Sequence, residues 1–156
     1  MRLKTDSGGL ESLPLRLMIV AVVASLSIIP AGEALDNLRN KDFVNRVELQ
    51  VESIISTAQL LTIAGPGGTR TVSLDFSSEG TLAFERIAIG DGEGANKSSV
   101  VLKFTNGATM VKTCVDPATW LRTEEGSGLL MESPVFELTM SAHIDGRTEY
   151  VLVEAV

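Results

Sequence analysis

The residues able to do chemistry in this chain are few and scattered. His143 is the only histidine and stands between Ala142 and Ile144 in an alternating run. One imidazole builds neither a serine triad nor a histidine-rich metal site, so it reads as a surface or packed strand residue. The stretch GDGEGAN at 90–96 sets Asp91 and Glu93 two apart. It lacks the twelve-residue ligand spacing and closing Glu of a calcium loop and reads as a solvated hairpin loop. GPGGTR at 65–70 lacks the Gly-Lys-Ser/Thr ending of a phosphate loop and follows a helix instead of opening one. Glu124-Glu125 is an acidic pair with no partner implied by spacing. Cys114 is the only cysteine; it excludes an internal disulfide framework and reads as a small buried apolar residue. Asn96-Lys97-Ser98 is the only N-x-S/T sequon, which makes Asn96 a candidate N-glycosylation site if the chain is exported. These residues give no catalytic, cofactor-binding or metal-binding constellation, and no enzyme is expected.

The elements that would carry them divide the chain in two. Asp and Glu number 20 against 13 Lys and Arg, for a net charge of -7. Nucleic acid is therefore not an expected partner, because phosphate neutralisation needs clustered cations. The hydrophobic share is 44%, much of it in the first third. Residues 17–29 are uncharged and apolar, with Arg16 at one edge and Pro30 at the other. From Leu35 onward the pattern turns amphipathic. Val44, Val47, Val51, Ile54, Ile55, Ala58 and Leu61 recur at helical spacing, while Lys41, Arg46, Glu48 and Glu52 take other faces. The two stretches can join into one helix from about residue 10 to 63, bent locally at Pro14 and Pro30. At a rise of 1.5 Å per residue such a helix is on the order of 80 Å long.

Gly65-Pro66-Gly67-Gly68 ends that helix. Two-residue alternation follows and predicts strands at 71–76, 81–89, 99–104, 109–113, 134–144 and 148–155. Asn106-Gly107 and Asp145-Gly146 between alternating runs predict hairpins. The expected fold is α+β: a long N-terminal helix, hydrophobic then amphipathic, packed on one antiparallel sheet of about five to seven strands. The segment 116–133 is the least regular.

The apolar run can be read three ways. A secretory signal peptide would be cut behind it, near Ala34, and release a β-domain with a binding role. A transmembrane anchor needs about 20 apolar residues, a length that 10–35 reaches only by including Glu11, Arg16 and Glu33. The third reading puts processing in front: MRLKTDSGG would be removed and the helix kept. This last arrangement, a basic leader ending in Gly8-Gly9 followed directly by LESLPLRLMIVAVVASLSII, resembles the prepilins of the type IV pilin family, particularly archaeal pilins and pilin-like proteins. A cut after Gly9 puts Pro14 at the fifth mature position and the acid Glu11 at the second, where bacterial members have an acid at the fifth.

The resemblance covers residues 1 to about 64 and implies a division into a leader 1–9, a helix 10–64 and a β head 65–156. It implies leader cleavage at Gly8, Gly9 and Leu10 by a prepilin peptidase. Leu13, Leu17, Ile19, Val20, Val23, Leu26 and Ile29 would then pack in a filament core, and Glu11 is the candidate for charge pairing. It implies a helical homo-oligomer built by a pilus assembly machinery, inserted in the cytoplasmic membrane before assembly and displayed at the cell surface afterwards. A minor, filament-priming component is the remaining alternative. No cofactor is expected.

Overall fold

The computed structural model describes residues 8–90, 97–115, 119–124 and 128–156, with side-chain surroundings for all of these except 8–15 and 26–31. The chain divides into two compact units, Met1–Leu38 and Arg39–Val156. A single helix, α1 (Gly8–Ala64), is followed by β1 (Thr69–Asp75), β2 (Phe84–Ile89), β3 (Ser99–Phe104) and β4 (Thr109–Thr113). Then come β5 (Trp120–Arg122), β6 (Leu129–Met131), β7 (Val135–Asp145) and β8 (Thr148–Ala155). The class is α+β, as the residue pattern implies. Helical backbone continues through Pro14 and Pro30.

The strands form two four-stranded sheets, ordered β1-β7-β8-β5 and β4-β3-β2-β6. This corrects the expectation of one antiparallel sheet. All pairings are antiparallel except β5 with β8, where Trp120 to Arg122 run parallel to Tyr150 to Leu152. β5 and β6 lie in the segment that alternation left unassigned, because three residues are too few to establish a period.

One core joins both sheets to the second part of α1. Phe43, Val47, Val51, Ile54, Ala58 and Leu61 of the helix are buried with Leu74, Leu138, Met140, Val151 and Val153 of the first sheet. Ile87, Ile89, Val100, Leu102 and Phe104 enter the same cluster from the second. Five of the seven residues assigned to the apolar helix face are fully buried and Val44 and Ile55 partly so, while Phe43 joins them unforeseen. Each such aliphatic burial contributes about 1.5–3 kcal/mol. Aromatic contacts stitch the layers: Phe43 meets Phe104 edge-on at 6.0 Å, and Phe76 stacks on Phe84 at 5.1 Å.

Two sheets leave open edges, and α1 serves one edge strand of each. At β1, the Gln50 carboxamide donates to the Asp75 carbonyl and accepts from the Asp75 N–H, both at 2.7 Å, as a neighbouring strand would. At β4, Lys112 Nζ lies 2.6 Å from Glu48 and 3.0 Å from Glu52. Polar cover of this kind removes a template for unwanted strand addition. The helix stops where Gly65, at φ 85°, donates its N–H to the Leu61 carbonyl at 3.1 Å. A left-handed residue after the last helical turn is what Gly alone adopts without cost. Gly67 and Gly68 then exchange backbone hydrogen bonds with Ala142, delivering the chain into β1.

Candidate functional site

The helix surface ahead of the core-packed part is the first candidate. Leu17, Met18, Ile19 and Val20 are 54–68% exposed, and Val22 and Val23 are 49% and 57% exposed. Four consecutive residues on a helix point to all sides, because each advances about 100°. An all-round apolar helix is ordinarily buried in something. Of the residues expected to pack in a filament core, Leu17, Ile19, Val20 and Val23 are thus exposed in the single chain. The side chains of Leu13, Leu26 and Ile29, and that of Glu11, lie outside the described residues. Gly8, Gly9 and Leu10 form the first helical positions of α1. Among the described residues no helix is long and apolar enough to cross a membrane.

Within Arg39–Val156 the titratable groups are mostly structural. Cys114 is buried at 1% exposure, and burial pushes its thiol up to about 11. The Asp75 carboxyl is held below the usual carboxylate range by hydrogen bonds from Ser77, its hydroxyl first and then its backbone N–H. Hydrogen bonds to Glu48 and then Glu52 raise the Lys112 ammonium above its ordinary value. Among the described residues no three His, Cys, Asp or Glu side chains come together to hold a metal. Asn96 lies outside the described residues, as do Asp91, Glu93 and Glu125.

His143 is not isolated. It pairs in register with Tyr150 of β8, which pairs in turn with Trp120 of β5. The three rings therefore lie at one level on three adjacent strands. Alternation sends Phe136, Leu138, Met140, Val151, Val153 and Leu121 into the core and leaves these rings on the opposite face. His143 and Tyr150 stack at 5.7 Å with 19° between planes, and Ser141 Oγ lies 3.0 Å from His143 Nε2. The Arg122 guanidinium sits 5.0 Å over Tyr150, and the Lys97 ammonium 5.1 Å over Trp120. Lys97 is positioned by its backbone, since its carbonyl accepts the Leu121 N–H at 2.7 Å.

A cleft of about 480 Å³ opens beside this row, lined by Arg122, Thr123, Glu124, His143, Tyr150 and Leu152. The sequence reading missed the cluster because its members come from three distant segments and from a strand it did not assign. The available signal was Trp120-Leu121-Arg122 itself, out-in-out over three residues. Comparison with known protein families, with curated proteins and with solved structures finds no match.

Proposed function

We propose that the chain is a structural subunit of a type IV pilus-like surface filament of the archaeal kind, with no catalytic role. The observation that carries this reading is the uncharged stretch of α1 whose large side chains are exposed on every side, Leu17 to Val23. Burying them removes on the order of 1.5–3 kcal/mol of unfavourable hydration per residue. Identical helices from neighbouring copies provide that burial in a filament, and the bilayer provides it before assembly. In this reading the leader 1–9 is removed at Gly8-Gly9 by a prepilin peptidase and the helix is kept. The excess of acidic over basic residues, -7 for the whole chain and more negative once the basic leader is removed, favours soluble heads while the apolar helices join.

A second reading draws support from the division of the chain. The unit Arg39–Val156 holds every fully buried apolar residue among those described. A conventional cut near Ala34 would release it whole as an exported β-domain. N-terminal sequencing of the mature protein separates the two: a start at Gly9 or Leu10 supports the filament subunit, and a start at Leu35 sinks it. Imaging cells without the protein then separates major subunit from minor component. Filaments persisting in near-normal numbers argue against the major role.

A further inference from the structure

The outer face of the β1-β7-β8-β5 sheet carries rings and cations that lie away from the core and that the proposed packing through Leu17 to Val23 does not invoke. We propose that this face binds an acidic polysaccharide, a chain of uronate-type sugars, laid across the row Trp120, Tyr150 and His143. Adjacent strands are about 4.8 Å apart, so three rings in register span about 10 Å, a width suited to a few linked sugars. Aromatic side chains present apolar edges and faces to the C–H surface of a pyranose, and Tyr and His add polar tips.

Charge selects the anionic member of the class. Lys97 and Arg122 are each held against a ring face, and neither has a carboxylate partner in the described ion pairs, which use Lys103 and Lys112. A charge-assisted hydrogen bond to a carboxylate is stronger than an exposed cation–π contact. Both cations therefore gain by turning from ring to ligand. Hydroxyl groups share this face: Thr123 lines the cleft with Arg122, and Ser141 is bonded to His143. Such groups exchange partners readily with sugar hydroxyls.

Single-stranded nucleic acid fits less well. Glu124 lines the same cleft and would oppose closely spaced phosphates. One carboxylate per sugar, with hydroxyls between, tolerates that acid.

Trp120 is the only tryptophan, so its emission reports directly on the site. Full-length protein in neutral detergent should show saturable change of that emission on titration with polygalacturonate or hyaluronate, and none with dextran. The double variant Lys97→Gln/Arg122→Gln, checked for native circular dichroism, should bind at least about tenfold more weakly, as expected for lost charge-assisted bonds. If the double variant fails to fold, Arg122→Gln alone should weaken binding several-fold. The proposal is overturned if neither acidic polymer moves the emission, if dextran moves it equally, or if the folded variants bind like the parent. It is also overturned if oligothymidylate binds more tightly than both polysaccharides, which would assign the face to single-stranded nucleic acid.

Discussion

Two stretches of α1 are both rich in apolar residues, but they differ in how densely those residues follow one another and in their environments. Between Phe43 and Leu61 the apolar residues recur every three or four positions, and Val47, Val51, Ile54 and Ala58 are 0% exposed. Between Leu17 and Val23 they follow one another without a break, and each large aliphatic side chain is about half exposed or more. Spacing and density of the apolar residues together decide which partner a helix can have. A single stripe about 100° wide is covered by one set of strands. An unbroken apolar surface exceeds what one small domain can cover and calls for a membrane or several other helices.

An acid placed in each stretch gives the largest and most opposed effects. Val51→Asp buries an unpaired carboxylate in the core and should cost about 4 kcal/mol or more, a large share of the stability of an ordinary domain. Val20→Asp should leave the thermal unfolding of the head unchanged while abolishing sedimentable filaments. The contrast breaks if Val20→Asp lowers Tm as Val51→Asp does, or if it assembles normally. A milder core change, Ile54→Ala, should cost about 2–5 kcal/mol, measured by urea denaturation.

The core stripe was legible because a helix face needs only local periodicity. Val47, Val51, Ile54, Ala58 and Leu61 follow from spacing alone, whereas Phe43 lies one turn before the first residue of that pattern and is fixed by Phe104 from a distant strand. Six strands followed from alternation and hairpin chemistry. Their division into two sheets did not, because alternation tells which residues share a face and not which strands pair. β5 illustrates the limit: it pairs in parallel with β8 and contributes Leu121, at 0% exposure, to the common core, neither of which three residues of local pattern can specify. The ring row on the outer face was hidden for the same reason. The filament proposal rests on residues 1 to about 64, where the sequence resembles a prepilin leader and spine, and the structure adds the exposure of the apolar side chains from Leu17 to Val23.

The head should also be intolerant at Gly90, where β2 ends against β5. Gly90 sits at φ 80°, and an added Cβ would run into the Leu121 carbonyl oxygen, a backbone atom that cannot swing away. Gly90→Ala combines left-handed strain with that clash and should cost about 2–4 kcal/mol, next after the core substitutions. An equivalent Gly32→Ala, in the Met1–Leu38 unit with nothing within 4 Å of the new methyl, should be neutral or slightly stabilising. A smaller and kinetic effect belongs to Cys114. With its thiol raised from 9.0 to about 11 by burial, the folded chain should react with iodoacetamide at pH 8 about a hundredfold more slowly than the urea-unfolded chain. The sign follows from the neutral form being favoured in the fold: its contribution to stability is complete below pH 9 and is lost as pH rises towards 11. Equal rates in the two states would place Cys114 outside the core.

The smallest effect should come from Lys112, which bridges α1 and β4 through Glu48 and Glu52. All three side chains keep roughly a third to a half of their surface in contact with solvent, at 31%, 43% and 54%. Exposed ion pairs of this kind contribute little, since water screens the attraction and ordering long side chains opposes it. Lys112→Met should therefore shift Tm only slightly, and the shift should shrink further in high salt. Because the folded state raises the lysine above its ordinary 10.5, whatever stability the bridge supplies is present below that pH and disappears as pH rises past it. A drop in Tm comparable to that of Ile54→Ala, persisting in high salt, would show that the polar edge of the helix, and not only its buried stripe, holds the sheet in place.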